Sequence, residues 1–124
     1  MSHRVLIIED NPDNLELLRY LLNAFGYQTL TAEDGLLGVA RATEAIPDLV
    51  LCDLQMPGID GLEVARRLRV DERTRQLPLV AVTAFARDAD RERALQAGFD
   101  HFVSKPIEPE AFLALVARIL PNDA

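Results

Sequence analysis

The sequence predicts an α/β domain built on a doubly wound parallel sheet. Five short apolar runs alternate with five segments of helical period along the chain. The runs are almost continuously apolar, as in strands that are covered by helices on both faces. At 124 residues the chain has the usual size of one domain. We therefore expect a single domain over residues 1–124, with a core at about 4–120 and a short C-terminal tail.

The individual elements have recognisable ends. Strands are predicted at about residues 4–8, 27–31, 49–52, 77–82 and 100–104, and helices at 13–25, 34–45, 62–69, 87–97 and 108–120. Gly26 and Gly98 each follow a helical segment, where glycine commonly ends helices. Asp13 or Asp34 is expected to cap a helix. The buried face of the first helix is predicted from its spacing to carry Leu15, Leu18, Leu22 and Phe25.

Composition and charge exclude several classes of function. The formal net charge of −7 argues against non-specific binding to nucleic acid or to an anionic membrane. No apolar run approaches the roughly 18 residues that a membrane-spanning helix needs. The single cysteine, Cys52, lies within an apolar run and has no partner for an internal disulfide. A buried thiol in a reducing cytoplasm is the expectation.

Polar side chains follow four of the predicted strands at the point where each strand ends. Because the carboxyl ends of parallel strands meet at one edge of a sheet, these side chains are expected to converge there. They supply three carboxylates, hydroxyl groups and one ammonium, a plausible site for a divalent cation and a phosphoryl group. The residues are Glu9 and Asp10, Asp53, Thr83, and Ser104 with Lys105.

The charges of this set call for a cation. Two carboxylates 4 Å apart repel by about 4 kcal/mol at an effective dielectric constant near 20. Lys105, the only lysine among 13 basic residues, offsets one negative charge and leaves two. Mg²⁺ prefers oxygen ligands and retains several waters, so it fits such an incomplete cage.

Asp53 is the candidate nucleophile, since a carboxylate can accept a phosphoryl group and form an acyl phosphate. Lys105 and the Thr83 hydroxyl would then neutralise and orient the phosphoryl oxygens. Each residue also has a purely structural interpretation, because a carboxylate after a strand often caps a helix and Thr83 is an ordinary strand residue.

The motifs together resemble the response-regulator receiver domains of two-component signalling. They are Glu9-Asp10, Asp53 with the segment through Gly61, Thr83-Ala84, and Ser104-Lys105-Pro106; residues 9–12 and 82–86 most resemble stand-alone regulators of the DivK type. The resemblance implies a flavodoxin-like (βα)5 fold with strand order 2-1-3-4-5. It further implies that Asp53 is the phosphoacceptor, that Mg²⁺ is held by Glu9, Asp10, Asp53 and the Gln55 carbonyl, and that the Lys105–Pro106 peptide bond is cis.

The same resemblance implies a switch. Phosphorylation would draw Thr83 and the aromatic ring of Phe102 inward, although Phe102 is equally compatible with a plain core role. The implied donor is a histidine kinase or phosphotransfer protein. The output partner would bind the face formed by the fourth helix, fifth strand and fifth helix, which Arg87, Arg91 and Arg93 are expected to make basic; a merely solvated helix is the alternative.

The expected function is a single-domain regulator that catalyses only its own phosphorylation and slow dephosphorylation. Phe85 is expected to hinder attacking water and so slow the loss of phosphate. One alternative is an aspartate-nucleophile phosphatase, but that enzyme needs a second carboxylate two residues after the nucleophile, where this chain has Gln55. Another is an adaptor that acts without phosphorylation.

Overall fold

A computed structural model describes residues 3–84 and 86–121, so Phe85 lies outside the described residues. Strands and helices alternate throughout, as the period of the apolar residues predicts. No helix within these two ranges has the length and apolar character needed to cross a membrane. The elements are β1 Arg4–Ile8, α1 Pro12–Ala24, β2 Gln28–Ala32, α2 Gly35–Ala45, β3 Leu49–Asp53, α3 Gly61–Val70, β4 Leu79–Thr83, α4 Asp88–Ala97, β5 His101–Ser104 and α5 Pro109–Ile119.

The five strands form one parallel sheet in the order β2-β1-β3-β4-β5, which confirms the predicted fold class. Strands β3 and β4 are buried along their whole length. Their apolar sequences fit this position, since a central strand covered on both faces has no solvent side on which to place polar residues.

Two apolar layers flank the sheet. On one face α1 and α5 pack through Leu18, Leu22, Phe112 and Val116. On the other face α2, α3 and α4 pack through a second cluster that contains Cys52. Burial raises the pKa of the Cys52 thiol well above its usual value, so this residue is the inert buried thiol that the sequence indicates.

One sequence prediction about α1 is wrong, and the expected aspartate cap lies on another helix. Asn11, not Asp13, caps the helix: its side chain accepts hydrogen bonds from the N–H groups of Asp13 and Asn14. Pro12 then occupies the first helical position, where its missing N–H costs nothing. Phe25 is 65% exposed, because the helix ends before it and its backbone turns toward Gly26. The second candidate cap, Asp34, does accept a hydrogen bond from Leu37 N–H.

Candidate functional site

Three strands bring together the charged residues at the carboxyl edge of the sheet. Glu9 follows β1, Asp53 ends β3, and Lys105 follows β5. The Lys105 Nζ donates to Glu9 Oε1 at 2.7 Å and to Asp53 Oδ2 at 2.9 Å. One carboxylate oxygen from each of Glu9, Asp10 and Asp53 lies within 4.8 Å of the others. The fold thus places four of the predicted site residues around a single point.

Backbone N–H groups orient two of these carboxylates. The Asn11 N–H donates to Glu9 Oε2 at 3.2 Å, and the Gln55 N–H donates to Asp53 Oδ1 at 3.1 Å. With Lys105 on the other oxygen, Glu9 has both oxygens engaged, whereas Asp10 is exposed. The role of Asn11 is not evident from residue type alone; its place before Pro12 at a helix start is the signal that would have revealed it.

The loop between Asp53 and α3 is held by a tight approach at Gly61. The Gly61 N–H donates to the Leu54 carbonyl at 3.0 Å, and a Cβ there would collide with the Asp53 carbonyl oxygen. Asp60 begins the helix by accepting a hydrogen bond from Glu63 N–H at 2.9 Å. Glycine is therefore required where this helix starts directly against the residue that follows the candidate nucleophile.

Thr83 lies at the end of β4 and is fully buried. Its carbonyl accepts a hydrogen bond from the Lys105 N–H at 2.8 Å, which extends the pairing of β4 with β5 by one step and places the lysine. Thr83 pairs in register with Ser104, whose side chain is exposed. The peptide bond from Lys105 to Pro106 is cis.

A shallow cleft of about 260 Å³ opens over these groups. Asn14 and Ala84 border the cleft, and neither is singled out by the chemistry of its side chain. The full lining is Glu9, Asp10, Asn11, Asn14, Asp53, Gln55, Ala84 and Lys105.

Burial and charge act against each other in this cleft. Burial, reinforced by the nearby Asp53 charge, raises the pKa of Glu9 from 4.5 to about 7, although hydrogen bonds from Lys105 and Asn11 oppose the rise. For Lys105, burial lowers the pKa, but hydrogen bonds to Glu9 and Asp53 outweigh it and leave the pKa above its usual value. The ammonium is therefore charged, and negative charge remains in excess.

The donor set fits a magnesium ion. It consists of oxygen atoms alone, it has more carboxylates than cations, and one side remains open to water and substrate. Asp10 and Asp53 offer carboxylate oxygens, Glu9 lies beside them, and Gln55 lines the cleft.

Comparison with known proteins agrees with this geometry. A family described as the response regulator receiver domain matches residues 5–117. The chain belongs to the response regulator receiver family. This receiver domain is 42% identical over 120 residues to the polar-differentiation response regulator DivK of Brucella ovis, covering 97% of this chain and 98% of that protein. It is thus a DivK-like receiver, as the residues around Glu9 and Thr83 indicate.

Solved structures share the receiver fold. The chemotaxis protein CheY4 of Vibrio cholerae has a TM-score of 0.91 and 25% identity, and the match covers 97% of this chain and 100% of that chain. The receiver domain of sensor histidine kinase PA1611 from Pseudomonas aeruginosa has a TM-score of 0.90 and 31% identity, covering 98% and 100% of the two chains. That structure is described as having a magnesium ion coordinated in its active site cleft.

A groove of about 540 Å³ lies beside the site, between α4, β5 and α5, and Phe102 lines it. Only part of the expected basic character is present on α4. Arg87 and Arg93 both pair with the buried Asp90, at 3.3 Å and 2.5 Å, so their charges are partly neutralised. These contacts lower the pKa of Asp90 despite its burial. The third arginine, Arg91, borders the groove.

Proposed function

We propose that this receiver accepts a phosphoryl group on Asp53 from the phosphohistidine of a histidine kinase or phosphotransfer protein. The observation that carries the proposal is the Lys105 ammonium held between Glu9 and Asp53 in an acidic, open cleft. Such an arrangement positions a carboxylate and a counter-charge around the place where a phosphoryl group would bind.

The proposed step is a displacement at phosphorus. An Asp53 carboxylate oxygen attacks the phosphorus, the bond from phosphorus to the donor imidazole nitrogen breaks, and that nitrogen keeps the electron pair. The Gln55 N–H and Lys105 hold the two carboxylate oxygens before the attack. Lys105 then remains close enough to neutralise a phosphoryl oxygen, and the Thr83 hydroxyl is proposed to contact another.

Glu9, Asp10, Asp53 and the Gln55 carbonyl are proposed to hold Mg²⁺. When bound, the ion would neutralise charge on the phosphoryl oxygens and offset the repulsion among the carboxylates. Lys105 and a backbone N–H engage both oxygens of Glu9 and both oxygens of Asp53, so the exposed Asp10 is the strongest candidate for a direct ligand.

The proposed output is a change of protein-binding surface. Phosphorylation would bias Thr83 and Phe102 toward inward positions and alter the face of α4, β5 and α5. The chain would act through protein contacts in the cytoplasm, without binding nucleic acid or membrane. It would not turn over a separate substrate, and it would lose its phosphate slowly by itself.

The test is incubation of the purified chain with Mg²⁺ and the small phosphodonor phosphoramidate, followed by intact-mass measurement. We expect the wild type to gain one phosphoryl group and Asp53→Asn to gain none. Addition of EDTA should stop the gain. A wild type of unchanged mass, or an Asp53→Asn variant that gains phosphate equally well, would contradict the proposal.

Two further readouts separate the alternatives. Multiple turnover of a phosphate ester would favour a phosphatase, whereas the proposal expects at most one event per chain. Unchanged affinity for an identified partner after phosphorylation would favour an adaptor that acts without phosphorylation.

The lifetime of the phosphorylated chain is a separate measurement. Phe85→Glu is expected to shorten this lifetime, because a carboxylate obstructs water less than an apolar ring.

A further inference from the structure

The side chain of Phe102 lies between the core and the surface. In β5 it pairs in register with Ala81 of β4, and Ala81 in turn pairs with Cys52, the residue before Asp53. The ring packs against the buried cluster on this face of the sheet, yet it also lines the groove between α4 and α5. Because the residue paired with Phe102 is Ala81, little side-chain bulk lies beside the ring.

Arg91 contacts this ring from outside. Its guanidinium carbon lies 5.1 Å from the centre of the Phe102 ring, within the range of a cation–π interaction. Arg93 on the same helix and Arg87 just before it pair with Asp90 instead. Over residues 3–84 and 86–121, the side chain of Arg91 has neither an ion pair nor a hydrogen bond. The specific contact of its guanidinium is therefore the ring of Phe102.

We infer that Arg91 is a positioning residue that holds the Phe102 ring where it lines the groove and so restrains the switch. This inference rests on the proposed function, in which the ring moves inward on phosphorylation. A ring that moved further inward would leave the guanidinium, so the contact would be made in one state and not in the other. An interaction made in only one of two states shifts the equilibrium toward that state by its full strength.

The size and sign of the effect follow. A cation–π contact at an exposed site corresponds to about a two- to fivefold change in an equilibrium constant. Arg91→Ala should therefore raise the apparent affinity for beryllium fluoride, the phosphate mimic, by about two- to fivefold in the presence of Mg²⁺. Loss of one positive charge from an already acidic chain would weaken anion binding, so general electrostatics predicts the opposite sign.

The experiment is a double-mutant cycle read by NMR titration with beryllium fluoride and Mg²⁺. Arg91→Ala and Arg91→Lys are each measured with Phe102 present and with Phe102→Leu, which keeps apolar bulk but removes the ring face. We expect a gain for Arg91→Ala, a smaller gain for Arg91→Lys, and no gain from either change in the Phe102→Leu background. An equal gain in both backgrounds, no gain at all, or a loss overturns the inference.

The wild type supplies a readout that needs no variant. Side-chain protons of Arg91 over the ring face should be shifted upfield, and beryllium fluoride should return them to ordinary values. Unshifted protons in the free chain, or a shift that survives saturation, overturn the inference. A wild type that does not bind beryllium fluoride contradicts the proposed function instead, which keeps the two failures distinct.

Discussion

The two edges of this sheet use charge in opposite ways. At the amino edge, where the parallel strands begin, Arg69 donates to the carbonyls of Arg75, Leu77 and Gly98 and pairs with Asp100 at 3.0 Å. The guanidinium charge interacts with backbone carbonyl dipoles and one carboxylate. Its planar set of N–H donors forms hydrogen bonds with these acceptors. The arrangement ties the ends of α3 and α4 to the start of β4.

At the carboxyl edge, one ammonium faces three carboxylates. Burial raises the pKa of Glu9 to about 7, because hydrogen bonds from Lys105 and Asn11 do not fully offset the cost of burying this charged carboxylate. A polar network with every charge paired stabilises the fold, whereas the excess negative charge at the carboxyl edge is available for the cation proposed above. The stabilising contacts of Arg69 and the proposed site thus lie at opposite ends of the strands.

The largest effect is expected from the amino edge. Arg69→Ala leaves partly buried carbonyls without a donor and should lower the free energy of unfolding by about 2–4 kcal/mol. Arg66→Ala, on the same helix, removes only an exposed pair with Glu63 at 3.5 Å and should cost less than about 0.5 kcal/mol. Urea unfolding measures both. Equal losses would mean that the carbonyl contacts of Arg69 add nothing.

At the carboxyl edge, Mg²⁺ should stabilise the chain by mass action. With free Mg²⁺ at 100 times its Kd, the free energy of unfolding should rise by about 2.7 kcal/mol. Asp10→Asn removes an exposed carboxylate of the cluster and should abolish most of that rise while leaving the metal-free stability nearly unchanged or higher. The same rise in Asp10→Asn would place the ion elsewhere. Urea unfolding with and without Mg²⁺ gives the comparison.

The charge imbalance at the carboxyl edge also predicts a pH dependence in EDTA. With its pKa raised from 4.5 to about 7, Glu9 binds more protons in the folded chain than in the unfolded chain between these values. Its contribution to stability is therefore complete below about pH 4.5 and is lost as the pH rises through about 7. We expect a loss of up to about 3 kcal/mol, because each pKa unit corresponds to about 1.4 kcal/mol.

Glu9→Gln is the control for this pH dependence. The variant cannot titrate at this position, so its free energy of unfolding should lack the decrease over the same pH range. A wild-type curve that overlays the Glu9→Gln curve from pH 4.5 to 8 would show that Glu9 does not cause the dependence. Urea unfolding at each pH is the measurement for both chains.

The smallest effect is expected at the end of α2, on the amino side of the sheet. Ile46 caps this helix in the left-handed region, at φ 44°, which is unfavourable for a β-branched residue. Ile46→Asn should be more stable than Ile46→Val by about 0.5–1 kcal/mol, because asparagine tolerates this conformation and valine does not. Thermal unfolding that ranks valine above asparagine would contradict the assignment of strain.

Much of the fold could be predicted because its signals are local. The apolar runs and helical periods locate all ten elements to within a few residues, and the polar residues after the strands identify the carboxyl edge. The misplaced buried position of Phe25 has a physical reason. Helical spacing does not indicate at which residue a helix yields to the turn at Gly26.

The fold class, the edge where the polar residues meet and the types of those residues follow from the sequence, because period and strand ends depend on neighbouring residues. Only packing gives the contacts between distant residues: Lys105 bridges Glu9 and Asp53, and the guanidinium of Arg91 lies over the ring of Phe102. Such pairings join residues brought together only by packing, and their strengths depend on burial, which no local pattern contains.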